Sequence, residues 1–249
     1  QGEKGAYSHL ACIEIFPNAE VLECPTFEEA FQLAKDDSDY KIVIPIENSL
    51  AGRVADIHYL IPKYKLQIHA EHFQKVNHNL LGIKGSKIKD IKTVRSHSQA
   101  IGQCRKIILE NNLKVIISAD TAGSAKFIAK NKDKSESAIA SELAAKIYNL
   151  EILKSNVEDD SGNVTRFFVM GKDSKHPERK KKKYITSCIF KLKSIPAALY
   201  KALGGFATNG VNLCKLESFS VKNTFDQVNF YIDIEGHIED PSLRKALEE

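Results

Sequence analysis

Asp159-Asp160-Ser161-Gly162-Asn163-Val164-Thr165-Arg166-Phe167-Phe168-Val169-Met170-Gly171 is the stretch around which the rest of the chain is organised. A polar turn with one glycine runs into an apolar run ending at Gly171, the pattern of a loop feeding a buried strand. At the junction stand an amide, a hydroxyl and a permanent cation: Asn163, Thr165 and Arg166. From Lys172 the composition turns to charge, so this strand closes a domain. Returning there with three polar groups, it is placed to close a pocket; a turn, a strand-surface Thr and an edge Arg are the alternative.

Earlier in the chain the same design recurs. Gln1-Gly2-Glu3-Lys4-Gly5 is a loop, and Ala6 to Phe16 reads as a helix whose start, Gly5-Ala6-Tyr7-Ser8, offers backbone N–H groups to an anion or is a simple turn. Val21–Cys24 reads as a short strand, and Thr26-Phe27-Glu28-Glu29 as a capping box opening a helix to about Lys35. Lys41–Pro45 then reads as a buried strand, and the β–α–β rhythm predicts an α/β domain with largely parallel strands. Ile46-Glu47-Asn48-Ser49 follows directly, at the carboxyl end of a strand, where open α/β sheets place ligands. Asn48 or Ser49 as a helix cap is the competing reading.

A helix around Val54–Leu60 ends at Pro62, and a β-rich stretch runs from Leu66 to Ile83 with His69, His72 and His78. Period-2 alternation puts His69 and His72 on opposite faces, so ordinary hydrogen-bonded histidines are expected and no metal site. Thr93–Ser96 is a strand leading into a helix from about Gln99 to Asn111, capped by Ser96 or Ser98. Lys114–Ser118 is a strand before the helix opened by Asp120-Thr121-Ala122-Gly123; Ser137–Ala140 and Ser141–Tyr148 repeat strand and helix. Three polar junctions, at Asn48, Ser96 and Thr121, thus precede Asn163–Arg166.

The 249 residues are 43% hydrophobic and 27% charged, a globular composition for one large or two modest domains. No apolar run approaches the roughly 18 residues needed to span a bilayer, and no signal peptide is visible. Cys12, Cys24, Cys104, Cys188 and Cys214 are odd in number and widely spaced, which suits free thiols and a cytoplasmic protein. The net charge of +4 comes from Arg179-Lys180-Lys181-Lys182-Lys183; without these, 31 basic residues face 32 acidic ones. No interleaved aromatic stripe flanks the run, so residues 172–183 read as a solvated linker, not a nucleic-acid or membrane patch. Beyond it, Tyr184–Leu192, Val211–Val221 and Gln227–Glu235 read as strands, Ala197–Asn209 and Pro241–Glu249 as helices. This β-α-β-β-α order is a ferredoxin-like α+β module without a final strand, with Asn209-Gly210 ending its first helix and Lys222-Asn223-Thr224 as hairpin turn.

The chain resembles monofunctional prephenate dehydratases with a carboxy-terminal ACT regulatory domain, over nearly its whole length. The resemblance rests on Gly2–Ser8, Pro45-Ile46-Glu47-Asn48-Ser49, Ser96-His97-Ser98-Gln99-Ala100 with Gln103-Cys104, Asp120–Ala125 and Asn163-Val164-Thr165-Arg166-Phe167, in that order. It implies an α/β catalytic domain over 1–171, two-lobed and similar to periplasmic binding proteins, with lobe one about 1–76 plus 157–171 and lobe two about 77–156. Residues 184–249 would be the ACT domain. No chorismate mutase-like segment precedes the motifs, so a fused bifunctional form is not expected.

The reaction implied converts prephenate to phenylpyruvate, carbon dioxide and water, driven by aromatisation, with no cofactor. Thr165 corresponds to the family's catalytic Thr. Asn48, Ser49, Ser96, Gln103, Thr121 and Phe167 fall among the substrate-binding positions. Arg166 would pair with a substrate carboxylate or instead brace Glu47 or an aspartate.

By the same resemblance phenylalanine is the allosteric effector, held by Ala197, Ala198, Leu199, Asn212, Leu213, Glu217 and Ser218 in a homodimer or homotetramer. Two departures bear on that. Ala197 stands where the motif has glycine, and Phe219-Ser220 replace its Arg-Pro. An arogenate dehydratase and a non-catalytic amino-acid sensor are the alternatives.

Overall fold

The computed structural model describes residues 1–54, 57–173, 176–220 and 228–249. Two compact units divide the chain, Gln1–Lys175 and His176–Glu249.

The first unit opens with helix α1 (Tyr7–Ile15) and helix α2 (Phe27–Asp36), the latter capped by Thr26, whose hydroxyl accepts from the Glu29 N–H. Strand β1 (Ile42–Asn48) meets the two-residue strand β2 (Gly52–Arg53); helix α3 (Ile57–Tyr64), strand β3 (Gln67–Lys75) and strand β4 (Asn79–Gly82) follow. Strand β5 (Thr93–His97) leads into helices α4 (Ser98–Gln103) and α5 (Arg105–Glu110), then strand β6 (Lys114–Ser118). Helix α6 (Thr121–Asn131), strand β7 (Glu136–Ala140), helix α7 (Glu142–Ile147), strand β8 (Glu151–Lys154) and strand β9 (Val164–Gly171) complete the unit.

Two sheets result, and the fold is mixed α/β. One has the order β2-β1-β9-β3, with antiparallel neighbours throughout; the other has the order β6-β5-β7-β4-β8. In the second, β5 runs parallel to β6 and β7, while β4 is antiparallel to β7 and β8. The late strand β9 lies between β1 and β3, so residues separated by more than a hundred positions face each other. Its core segment Arg166–Gly171 is buried, and Phe167 and Val169 pack with Val43 and Ala11 of α1.

Several expectations are corrected here. The strands are not largely parallel: a continuous apolar run reports burial on both faces and carries no information about a neighbour's direction. Val21–Cys24 joins no ladder among the described residues; the Gly2 N–H donating to Cys24 O and the Lys4 N–H donating to Glu23 Oε2 tie it to the N-terminal loop. Pro62 sits inside α3, which continues to Tyr64 and stops where Lys65 adopts φ 54°. The helix expected over Gln99–Asn111 breaks at Cys104 (φ −126°, ψ 35°) into α4 and α5, and its cap is His97, whose ring accepts from the Gln99 N–H, not Ser96 or Ser98. β8 went unpredicted because four residues in a charged context give too short a pattern.

The second unit contains strand β10 (Ile185–Leu192), helix α8 (Ala198–Thr208), strand β11 (Leu213–Ser220), strand β12 (Val228–Glu235) and helix α9 (Pro241–Glu248). Its antiparallel sheet has the order β10-β12-β11, and Phe206 of α8 with Leu243 and Ala246 of α9 covers Ile232 and Ile234 of the central strand. Gly210 at φ +64° follows the end of α8, as Asn209-Gly210 predicts. The expected turn Lys222-Asn223-Thr224 lies outside the described residues. No helix among the described residues is long and apolar enough to cross a membrane.

Candidate active site

Where β1 ends, β9 begins. Asn48 faces Thr165 across the antiparallel pair, and Gln74 of β3 faces Thr165 from the other side. Asn48 Nδ2 donates to Asn163 Oδ1 (2.6 Å) and to Thr165 Oγ1 (3.0 Å).

The orientation of this amide is fixed by its other end. Asn48 Oδ1 accepts the backbone N–H groups of Leu50 (3.1 Å) and Ala51 (2.9 Å), which can only donate, so the nitrogen must face Asn163 and Thr165. Two consequences follow. Thr165 Oγ1 accepts from Asn48 and keeps its own proton to donate elsewhere. Asn163 must turn its oxygen to Asn48 and therefore its nitrogen to Gln103 of α4, whose Oε1 it meets at 2.7 Å. Asn163 is buried, Thr165 and Gln103 half-buried. The arrangement is a row of amides ending in a hydroxyl that is free to donate.

Ser49 serves the same corner as a clamp. Its hydroxyl donates to Gly162 O (3.1 Å) and accepts from the Val164 N–H (2.9 Å), and its own N–H donates to Val164 O (2.8 Å). Among the described residues Asn48 and Ser49 cap no helix; they bind the end of β1 to the loop that starts β9.

Strand alternation separates the remaining candidates. Arg166 and Phe168 lie on the face opposite Thr165 and Phe167. Arg166 is buried, its Nε donating to Glu71 Oε2 at 2.8 Å and its NH1 to Glu47 Oε1 at 3.3 Å, with the guanidinium over the Phe168 ring at 4.9 Å. Of the two roles open to it, the geometry shows the brace, with Glu71 as a second carboxylate that sequence spacing gave no reason to choose. Phe167 is fully buried in the core beside α1.

Nor does the Ser96 junction join the row: its hydroxyl is buried and donates to Ile139 O at 2.7 Å within the second sheet. Thr121, half-buried at the start of α6, shares no hydrogen bond with the row among the described residues. Of the two readings open for the Gly5–Ser8 start, an anion contact or a simple turn, Gly5 fits the turn, since its N–H donates to His9 Nδ1 (3.0 Å). At φ +90° it lies so close to α7 that a Cβ would come within 2.7 Å of Ala144 Cα, which makes it a packing glycine.

Two residues missed as site candidates sit behind Gln103. His78 is buried, its Nε2 3.0 Å from Gln103 Oε1 and its Nδ1 2.9 Å from the Tyr7 hydroxyl. Burial holds the imidazole below its ordinary pKa and pushes the Tyr7 phenol well above its own. Local pattern gives no hint of these contacts, because Tyr7 and His78 come from elements far apart in sequence.

In the second unit, Ala197 precedes α8 with φ 62°, Ala198 and Leu199 open the helix, and Leu213 packs on the core. Asn212 accepts the Glu235 N–H through its backbone oxygen (2.9 Å), and Lys215 Nζ lies 3.0 Å from Glu217 Oε1. Ser218 stands opposite Phe230 on β12.

A mixed α/β chain with an amide-lined polar corner ending in a donor hydroxyl has the features of an enzyme of small polar substrates. The prephenate dehydratase family (PDT) matches residues 1–175. The chain is 43% identical over 249 residues to the bifunctional N-acyl-homoserine lactone acylase/prephenate dehydratase of Komagataeibacter europaeus, covering all of this chain and 89% of that protein. It is 38% identical to the chloroplastic arogenate dehydratase/prephenate dehydratase 1 of Arabidopsis thaliana, covering 99% of this chain and 66% of the plant protein. The crystal structure of the Arthrobacter aurescens prephenate dehydratase in complex with L-Phe superposes with a TM-score of 0.92 at 28% identity, over 99% of this chain and 83% of that one. The chain therefore belongs to the prephenate dehydratase family of carbon–oxygen lyases, enzymes of phenylalanine biosynthesis.

Proposed function

We propose that this chain converts prephenate to phenylpyruvate, with Thr165 as the catalytic residue. The observation that carries this reading is the Asn48–Thr165 hydrogen bond: Asn48 occupies the Thr165 oxygen as an acceptor and leaves the hydroxyl proton free for the substrate. In the reaction, the bond between the ring and its carboxylate breaks and releases carbon dioxide. Its electron pair moves through the ring and expels the C4 hydroxyl, which gains a proton and leaves as water. Thr165 donates a hydrogen bond to that departing oxygen, where negative charge develops. A neutral alcohol is a weak acid near pH 7, so positioning and charge stabilisation by Thr165 exceed its proton donation; solvent supplies the net proton.

On this reading Gln103 contacts the substrate, Asn48 acts through Thr165, Ser49 holds the corner, and Arg166 with Glu47 and Glu71 stiffens the strand that carries Thr165. The two sheets of residues 1–171 form the two lobes of a periplasmic-binding-protein-like catalytic domain, 1–76 with 157–171 and 77–156. Residues 172–183 are a basic linker and 184–249 an ACT regulatory domain. That the Arthrobacter relative was solved with L-Phe supports phenylalanine as the effector here, bound near Ala197–Leu199 and Asn212–Ser218 in a homodimer or homotetramer.

The test is turnover by the purified protein. Prephenate is offered first and phenylpyruvate followed by absorbance, with arogenate, an N-acyl-homoserine lactone and added phenylalanine in parallel. Phenylpyruvate formation slowed by phenylalanine is the expected result. Turnover of arogenate alone moves the substrate to the amino-acid counterpart, in line with the plant relative's name. No turnover of either ring substrate by folded protein overturns the dehydratase reading.

A further inference from the structure

The hydrogen-bond row does not stop at Gln103, and its polarity can be followed to its far end. The Leu50 and Ala51 N–H groups fix Asn48, Asn48 fixes Asn163, and Asn163 Nδ2 leaves Gln103 Oε1 as the atom that faces inward. His78 Nε2 approaches that same oxygen at 3.0 Å. Two acceptors cannot face each other at this distance, so Nε2 must carry a hydrogen. On the other side of the ring the Tyr7 hydroxyl donates to Asn77 O at 2.7 Å and lies 2.9 Å from Nδ1. The groups facing His78 are Tyr7 from α1, Gln103 from α4 and Glu158, whose carboxylate accepts the His78 backbone N–H at 2.8 Å. Burial favours the neutral ring.

Resting on the dehydratase reading above, we infer that His78 is a positioning residue for substrate binding. Its Nε2–H, together with Asn163, pins Gln103 Oε1 inward, so that the Gln103 NH2 is what the site presents to an anionic substrate. That NH2 has no protein partner among the described residues. A dianion such as prephenate is attracted by an amide's N–H groups and repelled by its oxygen, and the same residue in the opposite orientation would act against binding. With the Nδ1–H tautomer, His78 Nε2 would demand a donor and favour that opposite orientation. His78 thereby sets the sign of a contact it does not itself make.

The first measurement is the 15N spectrum of the His78 ring in the unaltered protein near pH 7.5, assigned by its loss in His78→Gln. The expected result is a ring that carries a hydrogen on Nε2; a neutral ring protonated on Nδ1 alone overturns the inference whatever the enzyme turns over.

The second compares His78→Phe, which removes the donor, with His78→Gln, which keeps an amide N–H near the Nε2 position. His78→Phe is expected to raise KM for prephenate roughly tenfold or more, the effect of losing one hydrogen bond to a charged group, with kcat changed far less. His78→Gln is expected to recover most of it. An unchanged KM in His78→Phe, a loss confined to kcat, or no recovery in His78→Gln overturns the inference. Failure of the unaltered protein to turn over prephenate overturns the dehydratase reading instead, and the ring spectrum still decides the tautomer.

Discussion

Asn48 Nδ2 lies 3.0 Å from Thr165 Oγ1, and because Asn48 Oδ1 is already held by two backbone N–H groups, Thr165 is the acceptor in that pair. Removing the hydroxyl should therefore affect chemistry more than folding. Thr165→Ala is expected to lower kcat by about 10²–10³-fold, within the range for a positioned proton-bridging group, while Tm shifts little. Thr165→Ser, which keeps the oxygen, should retain most activity. Steady-state kinetics beside a thermal melt measure both, and an active Thr165→Ala would remove Thr165 from the mechanism.

Asn48→Asp separates the two ends of the Asn48 amide. The carboxylate can still accept from Leu50 and Ala51, but it turns an anion toward Asn163 Oδ1 and takes the Thr165 proton for itself. The expected result is a kcat loss comparable to that of Thr165→Ala, plus about 1–3 kcal/mol of destabilisation from the mispaired amide. Urea unfolding and initial rates provide the two numbers. Full activity in Asn48→Asp would show that the Thr165 proton is not what the site uses.

Arg166 holds two carboxylates, Glu47 and Glu71, that would otherwise repel each other. Arg166→Ala is expected to destabilise the protein by about 3 kcal/mol, the lower end for breaking a buried ion pair, since both carboxylates keep some access to water. Equilibrium urea unfolding checks this. Should Arg166→Lys raise KM and leave stability intact, the guanidinium would be a substrate contact and not a brace.

Ala197 occupies φ 62°, a conformation that favours glycine because a Cβ crowds the neighbouring backbone. Ala197→Gly is expected to stabilise the protein by about 1 kcal/mol, with strain relief exceeding the added chain entropy of glycine. A Tm that falls in Ala197→Gly would show the strain to be absorbed locally.

The five thiols should separate by reactivity. Cys214 is exposed, Cys12 and Cys188 are half-buried, and Cys24 and Cys104 are buried. Burial raises the Cys12, Cys24 and Cys104 pKa values and pushes Cys188 up to about 11. A disulfide reagent at pH 8 is expected to titrate one thiol quickly in the native protein and the others only on unfolding. Rapid reaction of two or more would contradict this burial pattern.

The sequence by itself determined the local elements and the chemistry available to them. The Thr26 capping box, the α8 end at Asn209-Gly210 and the polar-to-apolar switch into β9 are each written within a few neighbouring residues, and hydrogen bonding and backbone sterics act over that range. It also marked Asn48, Asn163 and Thr165 as polar groups at element ends, and the family resemblance added Gln103. Only the tertiary structure decided which of them meet. β9 enters between β1 and β3, an antiparallel insertion that brings Asn48 to Thr165, whereas Ser96, on the same sequence argument, turns its hydroxyl into the second sheet. Pleating sent Arg166 to the opposite face from Thr165, and the contact of Tyr7 of α1 with Asn77 and His78, between β3 and β4, placed both rings behind Gln103. Strand direction, facing and the polarity of a row of amides depend on contacts between distant residues. Such contacts leave no mark in local composition, because a buried apolar run is compatible with either neighbour direction and an amide with either orientation until its partners are in place.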